Sequence, residues 1–373
     1  MSDSPVVFTE VPLQGGYALG VARLNAEKSL NALSLEMIEL LAEQLPKWQD
    51  DPRIAAVWLE GTGEKAFCAG GNIVRLYESM QEHGEQVNPY AERFFTQEYQ
   101  VDYLIHTYRK PLICWGHGIV MGGGLGLMAG ANFRVVTEKS RIAMPEISIG
   151  LYPDVGGTWF LNRMPGRTGL FMGLTSCSIN ASDALFLGLA DRFIAQEHKA
   201  AVLAALADAK WQGEANADQH QVNTVLRQFE QQSQALLPAS PVREHYDLIN
   251  QLMDHVEVAD IRRGLDQLQT DDPWLQKAIK GAQHGSPSSA VLIKAQLERG
   301  RHWSLKETFQ QELALSVNCC GKGEFREGVR ALLIEKDNQP KWRFATVAEV
   351  DPAFIASYFV SPWQADNHPL AQL

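Results

Sequence analysis

Two hydrophobic periods alternate along the first two hundred residues. Residues 17–24 and 54–60 are short apolar runs with β-branched members, and each predicts a strand. Between them Ser34 stands as an N-cap, and Leu35, Ile38, Leu41, Ala42 and Leu45 recur at helical spacing. Residues 111–116 and 133–137 predict two further strands, separated by a glycine-rich segment that opens a helix. This order implies an α/β architecture with largely buried strands.

The pattern changes after about residue 210. Seven glutamines fall between residues 212 and 234 with little apolar periodicity, and Pro238 and Pro241 follow. A boundary is expected there, with residues 1–210 forming the core that carries the active site and residues 211–373 a mainly helical C-terminal region. In that region Leu305, Phe309, Leu313 and Val317 recur every four residues, as on one helix face.

Composition narrows the function. With 45% apolar and 21% charged residues, the 373-residue chain has the make-up of a folded globular protein. A net charge of −11 removes the usual attraction to nucleic acid or an anionic membrane, while leaving room for a small anionic ligand held by local cations. Cys68, Cys114, Cys177, Cys319 and Cys320 form no CxxC pair, so neither a disulfide framework nor a zinc site is expected. Reduced thiols and an N-terminus without a basic and apolar leader pattern imply a cytoplasmic location. Residues 112–131 are apolar, yet hold seven glycines and His117, which suits a strand running into a glycine turn better than a membrane span.

Three segments carry chemistry. The first, Ala66-Phe67-Cys68-Ala69-Gly70-Gly71-Asn72, follows a strand with consecutive small residues that let a backbone N–H approach a ligand, although taken alone it fits a tight turn. The second runs from His117 through Gly122-Gly123-Gly124-Leu125-Gly126 into a helix, whose first N–H groups suit an oxyanion. His117 sits in an apolar run and reads as a core histidine rather than a base. Gly124 to Ala129 also fits a dinucleotide-binding pattern with Glu146 downstream, but Glu146 follows Met-Pro instead of closing a strand. The third segment, residues 144–157, places Glu146 and Asp154 among apolar, glycine and proline residues, surroundings that raise carboxylate pKa values and suit acid–base work. No GxSxG elbow and no HExxH spacing occurs, so a serine nucleophile and a metal are not expected.

Together these segments resemble the crotonase (enoyl-CoA hydratase/isomerase) superfamily, and most closely its 3-hydroxyisobutyryl-CoA hydrolase subgroup. The resemblance runs from about residue 17 to about residue 342. It rests on AFCAGGN, HGIVMGGGLG, MPEISIGLYPDVGG and the late EGVRALLIEKDNQPKW from Glu327 to Trp342. It implies a spiral of ββα turns followed by a helical C-terminal region, with the N–H groups of Gly71 and Gly123 as an oxyanion hole. By the same resemblance Glu98, Glu146 and Asp154 face the acyl group. Lys28, Asn31, Ala32 and Leu33 resemble the stretch lining a coenzyme A adenine pocket, and Ala69 sits in the motif beside the hole.

One position separates the reactions of this superfamily. Hydratases carry a second catalytic glutamate shortly after the GGG, and the matching residue here is Gly126. Asn72 departs from the subgroup, which usually has Asp there. The resemblance thus implies hydrolysis of a short 3-hydroxyacyl-CoA, as in valine breakdown. Coenzyme A then enters as part of the substrate, with no separate cofactor. Two other readings are a hydratase or isomerase that uses Glu146 alone, and a non-catalytic acyl-CoA-binding protein. Leu76, Phe94 and Phe95 are expected to shape the acyl pocket, and relatives that assemble through C-terminal helices make a homo-oligomer an expectation.

Overall fold

The computed structural model describes residues 4–373. Its strands are β1 (Val6–Pro12), β2 (Ala18–Leu24), β3 (Ile54–Gly61), β4 (Ala66–Cys68), β5 (Leu112–Gly116), β6 (Ile119–Met121), β7 (Phe133–Val136), β8 (Arg141–Ala143) and β9 (Arg192–Phe193). The helices that bear on function are α1 (Leu35–Asp50), α2 (Ile73–His83), α3 (Pro89–His106), α4 (Gly123–Ala129) and α5 (Gly157–Leu161), with a long later helix, Leu305–Gly321.

The chain forms two compact units that interleave along the sequence. One takes the chain through Gly71, Val101–Ile142 and Ile179–Ser240. The other takes Asn72–Gln100, Ala143–Ser178 and Pro241–Leu373.

The first unit is built on a six-stranded sheet in the order β1-β2-β3-β5-β7-β9 and a small sheet in the order β4-β6-β8. Only the β1–β2 pair of the large sheet is antiparallel; β2, β3, β5, β7 and β9 run parallel. Parallel strands need crossovers that cover the sheet, so the central strand is enclosed, and every residue of β3 is buried. Its one charge, Glu60, is matched by Arg23 Nε at 2.5 Å, Lys199 Nζ at 2.7 Å and the Trp58 indole N–H at 2.9 Å. Helix α1 makes the β2–β3 crossover. Ser34 caps it by accepting the Met37 N–H at 3.2 Å, and it buries Met37, Ile38, Leu41, Leu45 and Trp48.

The glutamine-rich stretch is not a boundary. It forms the helix Ala215–Ser233, and its Val222, Val225, Leu226 and Phe229 fall at i, i+3, i+4 and i+7. That face packs with Trp58 and Trp115, whose rings stack 5.3 Å apart, in the core of the sheet. Four apolar residues in one stripe hold the helix to the sheet, at about 2 kcal/mol for each side chain buried. The glutamines lie on its exposed and half-buried positions. Residues 179–240 therefore belong with the sheet, and a cut at residue 210 does not match the packing.

The second unit is mainly helical. A single 3-10 turn, Glu146–Ile149, is pressed onto the helix Glu324–Val329: a Cβ at Gly150, whose φ is +71°, would lie 2.3 Å from the Glu324 carbonyl oxygen. Glu324 also accepts the Ser286 hydroxyl at 2.6 Å and the Arg343 N–H at 2.7 Å, which fixes that helix in place.

Candidate active site

In the first unit β4 and β6 pair in parallel with Cys68 opposite Val120. Each strand continues three residues further, to Gly71 and to Gly123, so the two glycines follow neighbouring strands at the C-terminal edge of one small sheet. Gly70 (φ +111°) and Gly122 (φ +48°), the residues just before them, occupy backbone conformations open mainly to glycine. Gly123 is the first residue of α4, so its N–H has no acceptor within the helix, whereas the N–H groups of Leu125 and Gly126 turn back to the Gly122 carbonyl. A Cβ at Gly124 would lie 2.3 Å from the Cys68 carbonyl oxygen, so the start of α4 rests directly on the end of β4.

The stretch around Lys28 to Leu33 runs beside this edge. The Leu33 N–H donates to the Gly70 carbonyl at 2.8 Å, the Ala69 N–H donates to the Leu30 carbonyl at 3.1 Å, and Leu33 bridges Gly71. Lys28 is exposed and Ala32 half-buried. Asn31 is fully enclosed with φ +56°, and its amide donates to the carbonyls of Thr62 and Ala66 at 3.0 Å while accepting the Ala26 N–H at 3.0 Å. Its side chain braces the loops. His117 is buried, with Nε2 2.9 Å from the Gly63 carbonyl, as a core histidine would be.

The second unit gathers the carboxyl groups. Glu146 opens the 3-10 turn, capped by left-handed Gly150; Asp154 precedes α5; and Glu98 lies on α3. All three are buried, at 4%, 5% and 3% exposure. Oε2 of Glu146 has no hydrogen-bond partner among the described residues, so a buried acceptor is left for another group. Burial pushes the Glu146 carboxyl well above the usual range, and the charges of Asp154 and Glu98 push the same way. Glu98 is raised by burial and by Asp154. Asp154 is raised by burial to about 6, with the Tyr99 hydroxyl and its own backbone opposing the rise. Buried carboxyls that raise one another's proton affinity hold protons more tightly than exposed ones, which suits acid–base work.

Four polar residues around Asp154 went unnoticed in the sequence: Tyr99, Tyr152, Glu312 and Ser316. The Tyr99 hydroxyl donates to Asp154 Oδ2 at 2.6 Å and meets Ser316 Oγ at 2.7 Å. Glu312 accepts the N–H groups of Gly156 and Thr158 at 2.7 and 2.9 Å. The available signal was Thr308, Glu312 and Ser316 spaced four apart, a polar row along a helix that is buried on nearly every side. Leu76, Phe94 and Phe95 are fully buried in the same unit, with Phe95 5.8 Å from the Tyr99 ring. Asn72 takes the N-cap position of α2 without a side-chain capping bond.

Comparison with known proteins fits this layout. The family model for enoyl-CoA hydratase/isomerase matches residues 19–359. The chain is 38% identical over 345 residues to a protein of Danio rerio named 3-hydroxyisobutyryl-CoA hydrolase, mitochondrial, covering 92% of this chain and 87% of that one. The protein of the same name from Xenopus tropicalis is 38% identical over 98% of this chain and 92% of its own length. A solved structure described as a carnitinyl-CoA dehydratase from Mycobacterium thermoresistibile superimposes with a TM-score of 0.85 at 34% identity, covering 99% of both chains. The names of the relatives place them in mitochondria, which overturns the cytoplasmic expectation: reduced thiols mark a reducing compartment without saying which one. With the spiral α/β fold, the glycine edge and near full-length matches in agreement, the chain belongs to the enoyl-CoA hydratase/isomerase family.

Proposed function

We propose that this protein hydrolyses the thioester of a short 3-hydroxyacyl-CoA, namely 3-hydroxyisobutyryl-CoA of valine breakdown. The N–H groups of Gly71 and Gly123 receive the thioester oxygen, each contributing about 3 kcal/mol as negative charge builds there in the transition state. Glu146 either deprotonates a water that adds to the carbonyl or adds its own oxygen to form an anhydride that water then cleaves; in both cases the C–S bond breaks and coenzyme A leaves as the thiolate. Asp154, with Glu98 beside it, accepts the 3-hydroxyl of the acyl group or moves a proton. The observation that carries this reading is the buried, unpartnered Oε2 of Glu146 in a cluster of three carboxyls. The hydrolase name borne by relatives that match nearly the whole chain supports it.

Gly126, buried in α4, stands where a hydratase needs its second carboxylate, so a water cannot be held between two glutamates in the hydratase manner. Glu146→Gln is expected to lower turnover by ~1000-fold while coenzyme A ester binding persists; wild-type turnover in that variant would remove Glu146 from the mechanism. A second reading, elimination or addition of water, draws on the dehydratase likeness. It predicts crotonyl-CoA hydration at rates matching thioester cleavage.

A further inference from the structure

We propose that Tyr99 is a positioning residue for Asp154, aimed by Ser316, and that its hydroxyl sets the proton affinity and orientation of that carboxylate. The inference rests on the hydrolase reading above for what Asp154 does, and on geometry for what Tyr99 does.

Tyr99 is completely buried on α3. Its ring is wedged between Phe95 at 5.8 Å and Phe309 at 5.7 Å, so the hydroxyl has one place to be. Ser316 Oγ lies 2.7 Å from the hydroxyl of Tyr99 and 2.7 Å from that of Tyr152, and the Tyr152 hydroxyl is also 2.7 Å from the Glu312 carbonyl. The protons can be followed along the chain. When Asp154 is ionised it can only accept, so Tyr99 spends its single proton on Oδ2 at 2.6 Å. The Tyr152 hydroxyl gives its single proton to the Glu312 carbonyl and toward Ser316 can only accept, so the one Ser316 proton is free to go to the Tyr99 oxygen. Two hydroxyls, those of Ser316 and Tyr99, thus point one way, toward the carboxylate, and the first strengthens the second.

Both phenols stay protonated across the working range, because burial and the Asp154 charge raise their pKa values well above the usual. Burial disfavours the charge on Asp154, and several titratable groups lie near enough to feel that charge. They are Glu98 on α3, Glu146 ahead of it in the chain, and Glu312, Cys319 and Cys320 on the helix Leu305–Gly321. Tyr99 is the side chain that holds the ionised form down. A carboxylate left without this donor would take up a proton sooner and lose its fixed direction.

The experiment is a carbon-13 carboxyl titration of the full-length protein labelled at aspartate, with the Asp154 resonance identified by its loss in Asp154→Asn. Tyr99→Phe keeps the ring and removes the donor. The midpoint of Asp154 is expected to rise by at least about one pH unit, roughly tenfold in acid constant, the scale of a hydrogen bond to a charged group. Ser316→Ala, which keeps the Tyr99–Asp154 bond and loses its support, is expected to give a smaller rise in the same direction. An unmoved midpoint in Tyr99→Phe, or, should that variant not fold, in Ser316→Ala, overturns the proposal. No substrate enters this titration, so failure of the hydrolase reading leaves its result standing. In turnover, the acid limb of kcat/KM is expected to move upward in Tyr99→Phe, and the effect of that change is expected to vanish in the Asp154→Asn background.

Discussion

Glu312 accepts the N–H of Gly156 at 2.7 Å with one carboxylate oxygen and that of Thr158 at 2.9 Å with the other. The clamp begins at the residue after Val155, which follows Asp154 and has φ +53°, a strained conformation for a β-branched residue. Burial lifts the Glu312 carboxyl to about 8, against the pull of the two N–H donors. Glu312→Ala would strand both donors in the interior, at a cost of about 2–4 kcal/mol. Urea unfolding should show a clearly lower midpoint; an unchanged midpoint would mean that the turn holds itself.

Asp154 should trade stability for function. Its pKa is raised in the fold from 3.8 to about 6, so the folded state binds its proton more tightly than the unfolded chain does. The stability linked to that proton is fully present below pH 3.8 and is lost as the pH rises through about 6. Asp154→Asn keeps an acceptor for Tyr99 without the charge. It should melt higher than the wild-type protein at pH 8, by roughly 3 kcal/mol at most, and the two should converge near pH 4. Equal melting temperatures at pH 8 would contradict the raised pKa.

The packing of α4 on β4 leaves no room at Gly124. A Cβ there would meet the Cys68 carbonyl oxygen at 2.3 Å, an atom of backbone that cannot swing aside. Gly124→Ala should push the start of α4 off the small sheet, lower stability by about 1–3 kcal/mol, and cut kcat more than it raises KM, because the Gly123 N–H is displaced. Steady-state kinetics that match the wild-type protein would show that the oxyanion donor lies elsewhere.

Much of the first unit was legible because its signals are local. Residues 17–24, 54–60 and 111–116 are apolar runs long enough to read as strands, and Ser34 caps its helix as its side chain suggests. The helix Ala215–Ser233 was missed because four apolar residues among five glutamines make a stripe too narrow to stand out until a sheet is there to receive it. The strands β4, β6 and β8 have three residues each, too few for any period to show. Glu146 and Asp154 drew notice as charges in an apolar, glycine-rich stretch. Glu312, Ser316 and Tyr99 did not, since a lone polar residue on a helix looks the same whether it faces water or a buried carboxylate. Asn31 drew notice through a motif match, and what its side chain does in the fold, holding the loops together, has no local signal.

The most direct measurement is the release of free coenzyme A thiol from (S)-3-hydroxyisobutyryl-CoA, with acetyl-CoA as a control and crotonyl-CoA followed for loss of its double bond. Thiol release from the hydroxy ester, with little from acetyl-CoA and no comparable hydration of crotonyl-CoA, is the predicted result. Hydration of crotonyl-CoA with no thiol released from any ester would contradict the hydrolase reading and turn the same carboxyl cluster over to water addition.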